Sequence, residues 1–204
     1  MKRRVGVLIS GRGSNMQALL DAAQDPAFPA EIVAVLSNRE DAAGLGGART
    51  AGVPAEAVPH RGLSRSEHEE RMDAALRAHG VEVVCLAGYM RLLTPLLVER
   101  WAGRMLNIHP SLLPAFPGLH THERALAAGV KLHGCTVHLV TETMDEGPTL
   151  AQAAVPVLPG DTPDSLAARV LRQEHLLYPA ALRAFVDGQP LMASEEDALR
   201  NPAG

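Results

Sequence analysis

The chain has 204 residues, 47% apolar but only 3% aromatic, so a single domain with a core of Val, Leu, Ile and Ala is expected. Its formal net charge of -4 gives no basic footprint for nucleic acid. Cys85 and Cys135 lie in apolar runs and suit reduced thiols, and the run at 5–9 is too short for a secretory signal or membrane span, so a cytoplasmic protein is expected.

Apolar runs and amphipathic stretches alternate along the chain. Strands are predicted at 4–10, 32–37, 55–58, 81–87 and 104–109, with helices at 15–23, 41–51, 64–79 and 94–101. This rhythm, with near-continuous Val/Ile/Leu strands, predicts an α/β fold: a Rossmann-like, mostly parallel twisted sheet with helices on both faces. A proline-rich loop follows, then a helix at 121–128 ended by Gly129. Strands at 135–141 and 150–157 form an antiparallel C-terminal pair around 144–148. The last helix is predicted at 163–186, capped by Asp161 or Thr162 and with Pro163 in its first turn. No linker interrupts the pattern, so 1–188 is expected to be one domain, followed by a polar tail at 189–204.

The first strand runs into Ser10-Gly11-Arg12-Gly13-Ser14-Asn15 and then a helix. Two glycines and a helix N-terminus favour an anion. Met16 replaces the third small residue of a dinucleotide loop, and Ser37-Asn38-Arg39 puts no acid after the second strand. A lone phosphate monoester fits better, the alternative being a tight turn with Ser14 as helix cap. Gly88 would let a planar ligand approach Met90-Arg91-Leu92-Leu93, or this is only a strand-to-helix turn with a surface Arg91.

The segment from Met105 to Gly118 is the most informative. Alternation puts Asn107 and His109 on one side of a strand, an amide donor and a titratable imidazole suited to acyl-group chemistry. Pro110, Pro114 and Pro117 stop the strand and stiffen the loop. His109, His120, His122, His133 and His138 crowd one third of the chain, but their spacings match no usual metal pattern. No metal is expected, and most of these rings should hydrogen-bond in a polar pocket or sit at the surface. Asp145, a turn residue taken alone, could orient and charge a histidine. Glu174 and His175 sit mid-helix, where a solvated face is the plainer reading.

Taken together, Ser10–Asn15, Leu86-Ala-Gly-Tyr-Met-Arg91, Leu106-Asn-Ile-His-Pro-Ser-Leu-Leu-Pro114, Pro117-Gly-Leu-His-Thr-His122 and Asp145-Glu-Gly-Pro148 occur in an order that resembles the phosphoribosylglycinamide formyltransferase family. These are folate-dependent enzymes of purine synthesis, and the likeness covers 4–188. The Asn-x-His-Pro motif is shared with methionyl-tRNA formyltransferase, which adds a C-terminal tRNA-binding domain. Formyltetrahydrofolate deformylase shares it too and adds an N-terminal regulatory domain. Neither addition is expected here.

The resemblance implies formyl transfer from 10-formyltetrahydrofolate, as co-substrate, to the amino group of glycinamide ribonucleotide. It implies phosphate binding in the N-terminal half and folate binding in the C-terminal half. Asn107, His109 and Asp145 would be catalytic. Gly11, Arg12, Gly13, Ser14, Asn15 and Pro110 would hold the ribonucleotide, with Glu174 on its ribose. Arg65, Met90, Arg91, Leu92, Leu93, Asn107, Val140 and Thr141 would meet the folate. Arg12 fills a position that varies in the family, the residues before Asp145 differ, and Arg65 lies outside any motif. Small-molecule partners, no nucleic acid or membrane, and a monomer or homodimer are expected. A formate-releasing hydrolase and a catalytically dead sensor are the competing readings, and the incomplete loop argues against a dehydrogenase.

Overall fold

Val5, Val7 and Ile9 of β1 (Arg3–Ile9) face one side of the sheet and Leu8 the other, and none is exposed. A strand buried on both faces reads as an unbroken apolar run. In the computed structural model, which describes residues 1–189, six further strands join it. They are β2 (Ala30–Ser37), β3 (Ala55–Ala57), β4 (Val83–Leu86), β5 (Met105–His109), β6 (Leu132–Leu139) and β7 (Thr149–Pro156). Apart from Gln189, the predicted tail lies outside the described residues.

The order across the sheet is β3-β2-β1-β4-β5-β6-β7, parallel from β3 to β5 and antiparallel from β5 through β7. The chain winds outward from β1 to β3 and returns to β4 on the other side of β1. That reversal opens a crevice at the carboxyl ends of β1 and β4. The predicted architecture is observed, with shifts at element ends. β6 starts three residues before its predicted start and ends at Leu139 rather than Thr141. Its pairing with β7 runs from Leu132, and a Cβ on Gly134 would lie 2.0 Å from the Ala153 carbonyl oxygen, so only glycine fits that close approach.

Helices α1 (Ser14–Ala23), α2 (Gly44–Thr50), α5 (Thr121–Ala128) and α6 (Pro163–Asp187) cover one face, and α3 (Arg65–Ala78) and α4 (Pro95–Arg100) the other. α6 buries Leu166, Val170, Glu174, Leu177, Tyr178, Ala181 and Leu182, a helical stripe that includes one carboxyl group. Thr162 caps α6 in a reciprocal box with Ser165, which settles the choice between Thr162 and Asp161. Asp161 instead receives Arg169 at 2.7 and 2.8 Å. The Tyr178 hydroxyl lies 3.0 Å from the Leu86 carbonyl and 3.2 Å from that of Leu106, and it donates to this pair, pinning α6 to the last residue of β4 and the second residue of β5. The carboxyl end of β4 carries one loop of the crevice.

Candidate active site

Gly13 precedes α1 in the left-handed region (φ 75), and no side chain caps the helix. Ser14 is the first helical residue rather than the cap. The first-turn N–H groups therefore remain available to an anion, aided by the helix dipole. Gly11, Arg12 and Ser14 are exposed beside them. Asn15 points inward, and its amide donates to Glu174 Oε2 at 2.6 Å. Glu174 is only 6% exposed, so the solvated-face reading fails for it. Burial raises its pKa and the Asn15 amide opposes that rise. The buried Asn15 Oδ1 has no partner, which leaves one acceptor free beside the loop.

Ser10 ties this loop to the edge after β4. Its hydroxyl donates to Asn38 Oδ1 at 2.6 Å and accepts the Met90 N–H at 2.8 Å, while its own N–H reaches the Gly88 carbonyl at 3.1 Å. A cavity of about 320 Å³ opens here, lined by Ser10, Gly11, Asn38, Arg39, His60, Gly88, Met90 and Arg91. Met90, Leu92, Leu119 and Met144 leave much of their apolar surface exposed, and Met90 lines this cavity. Arg91 and Leu93 are half-buried. Val140 follows β6, and its N–H meets the Met105 carbonyl at 2.8 Å. Thr141 and Arg65 are exposed, the latter as the first residue of α3.

On β5, Leu106 and Ile108 enter the core beneath α6, which leaves Asn107 and His109 on the opposite face. Antiparallel pairing sets Asn107 across from His138 and His109 across from Thr136. The Asn107 amide nitrogen lies 3.2 Å from His138 Nε2. His109 Nε2 lies 3.1 Å from the Phe116 carbonyl, so that nitrogen carries a proton and donates. Its Nδ1 faces Asp145 Oδ2 at 3.5 Å, with both side chains 8% exposed. Asp145 Oδ2 also accepts the Gly118 N–H at 2.8 Å, and Asp145 itself takes a left-handed backbone (φ 60). Asn107, His109 and Asp145, 38 residues apart at the extremes, thus meet in one poorly solvated corner.

The loop between β5 and α5 is held from β6 and β7. Thr136 donates to the Ser111 carbonyl at 2.7 Å and accepts the Leu113 N–H at 3.0 Å, and the Gln152 amide donates to the Leu113 carbonyl at 2.8 Å. Pro110 is half-buried at the start of this loop.

His133 departs from the expectation for the histidine cluster, being buried yet without a hydrogen-bond partner on either ring nitrogen. It packs edge-on against His122 and Phe116, with centroids 5.2 and 5.9 Å away. Burial pushes its pKa down to about 4. His120 is exposed in a left-handed conformation. His138 is the site residue the sequence reading missed. Its alternation with Thr136 on the strand opposite Asn107 was the available signal. Among the described residues, no group of three or more His, Cys, Asp or Glu could hold a metal ion, and no helix is long and apolar enough to cross a membrane.

A family profile described as formyl transferase matches residues 3–182. Phosphoribosylglycinamide formyltransferase of Escherichia coli is 46% identical over 184 residues, which span 90% of this chain and 87% of that relative. The trifunctional purine biosynthetic protein adenosine-3 of Homo sapiens is 47% identical over 92% of this chain, which spans only 19% of that longer relative. The chain superposes on the crystal structure of phosphoribosylglycinamide formyltransferase from Brucella melitensis with a TM-score of 0.88 and 58% identity, covering 95% of this chain and 100% of the other. The chain belongs to the formyl transferase family.

Proposed function

We propose that the protein transfers the formyl group of 10-formyltetrahydrofolate to the amino group of 5'-phosphoribosylglycinamide, giving the N-formyl product and tetrahydrofolate in purine biosynthesis. The observation that carries this reading is the meeting of Asn107, His109 and Asp145 beside a crevice whose far wall is an uncapped helix N-terminus. The near-full-length likeness to phosphoribosylglycinamide formyltransferases supports the choice of substrates.

The ribonucleotide phosphate sits on the N–H groups of 11–15, with Glu174 toward the ribose and Pro110 closing the same side. The folate lies along Met90, Arg91, Leu92 and Leu93, reaching Val140, Thr141 and Asn107, with Arg65 at its outer end. The substrate amine attacks the formyl carbon, and the bond to folate N10 then breaks. Overall, one proton leaves the amine and one reaches N10. Charge builds on the formyl oxygen in between. Doubly protonated, His109 already gives Nε2–H to Phe116 and turns Nδ1–H toward Asp145. It therefore acts on the oxygen through its charge, which Asp145 holds in place. Asn107 retains a second amide N–H and is the direct donor. The enzyme works on small molecules in the cytoplasm, as a monomer or homodimer.

Mixing the protein with both substrates tests the reading. Deformylated folate should appear only when glycinamide ribonucleotide is present. Formate release without that acceptor would favour the hydrolase instead.

A further inference from the structure

His138 is 2% exposed and shares its face with Asn107, yet the mechanism above leaves it without a task. Its Nδ1 lies 2.9 Å from the Leu139 carbonyl, which can only accept, so Nδ1 carries a proton. In the neutral ring Nε2 then holds a lone pair. Only an N–H can face that lone pair, and the Asn107 amide nitrogen stands 3.2 Å away.

A carboxamide has two ends of similar size and opposite polarity, and nothing in its shape prevents a flip. Flipped, Asn107 would turn its oxygen toward the lone pair of His138 and repel it. We propose that His138 is a positioning residue for formyl transfer: as the neutral, Nδ1-protonated tautomer it fixes the Asn107 carboxamide so that one N–H is anchored and the other meets the formyl oxygen. The inference rests on the reading of Asn107 as oxyanion donor.

The surroundings favour this state. Burial lowers the His138 pKa, with the neighbouring His109 ring adding to the effect and the Leu139 carbonyl and Asp145 carboxylate opposing it. His109 faces it from β5 and Asp145 from the loop after β6. Asp145 Oδ1 is 3.8 Å from Nε2, the nearest competitor for a proton placed there. A second proton would redirect Nε2 to that carboxylate and release the amide. Water cannot easily replace the lost partner at so buried a site.

Nitrogen-15 NMR on the histidine-labelled full chain reads the tautomer directly, with the His138 signals assigned by their loss in His138→Gln. At neutral pH the expected result is a protonated Nδ1 and a bare Nε2. An Nε2-protonated or doubly protonated ring overturns the proposal. Kinetics supply a second test. His138→Leu should lower kcat about 10- to 100-fold with KM for either substrate within about threefold, and His138→Gln, which keeps an acceptor oxygen, should recover most of the loss. On an Asn107→Ala background His138→Leu should cost less than about twofold, because both changes remove the same donor. Multiplying effects, or equal losses in the Leu and Gln variants, would sink the proposal. Undiminished activity in Asn107→Ala alone would strike the reading of Asn107 instead, and the tautomer result would stand apart from it. Should the Leu variant fail to fold, the Gln variant and the NMR spectrum still decide.

Discussion

The parallel and antiparallel halves of the sheet contribute to the crevice in different ways. The half from β3 to β4 offers mainly backbone: a left-handed Gly13, an uncapped helix start, and the strand-end segment from Gly88 to Leu93. The half from β5 to β7 offers side chains drawn from neighbouring strands, because antiparallel pairing sets Asn107 directly across from His138 and His109 from Thr136. Parallel strands end together and deliver loops and helix dipoles to one edge. Antiparallel strands bring functional groups from distant sequence face to face. A reaction that needs both a held phosphate and a stabilised oxyanion draws on each kind of geometry.

The sharpest way to break this comparison is to truncate the side-chain half. Asn107→Ala should lower kcat about a hundred- to a thousandfold, the usual loss on removing one preorganised oxyanion donor. Asp145→Asn should reduce turnover strongly as well, since it takes away the charge 3.5 Å from His109 Nδ1 while keeping the hydrogen-bonding oxygen for Gly118. Substrate KM should move far less in both. Near-normal turnover in folded Asp145→Asn would remove that residue from the mechanism.

A second effect, on stability, follows from the desolvated side chains of the same half. His133 has a pKa of about 4 in the folded chain, against about 6.5 for an unperturbed histidine. As pH falls from 6.5 the unfolded chain therefore gains this proton first. The contribution is fully present above about pH 6.5 and is lost progressively toward pH 4, to a total of about 3 kcal/mol. Urea midpoints at pH 7 and pH 4 check this. His133→Leu should flatten the decline relative to the unmodified protein, and parallel curves for the two would count against it.

Much of this contrast was legible in the sequence. β1, β2 and β4 announced themselves as Val/Ile/Leu runs, and Thr121 to Gly129 was bounded by its left-handed glycine. Where reading stopped short, long-range partners decide. Leu132, His133 and Gly134 look unlike a strand, and their place in β6 is set by the ladder to β7. Asp41 to Ala43 read as helix, but α2 starts at Gly44, whose N–H is taken by the Gly11 carbonyl at 3.0 Å. Glu174 falls four residues after Val170 in the apolar stripe, a position that spacing could have revealed and that its charge obscured. His138 needed the β5–β6 register, which the long connection 110–131 through α5 does not fix by its length.

The backbone half supplies the smaller effects and a direct contrast between neighbours. Gly13→Ala forces a side chain into the left-handed region and sets its Cβ 3.2 Å from both Gly44 Cα and Met16 Cε. The strain is about 1–2 kcal/mol and falls on the loop that carries the phosphate contacts, so KM for the ribonucleotide should rise about tenfold with kcat nearly unchanged. Ser14→Ala removes an exposed hydroxyl that caps nothing, while its N–H stays where the helix puts it. KM should then change less than about threefold, as for surface substitutions in general. The two variants differ by one position and test opposite parts of the same residue pair. If Ser14→Ala proves the more damaging in steady-state kinetics, the phosphate is held by side chains, and the division between a backbone half and a side-chain half is wrong at its N-terminal end.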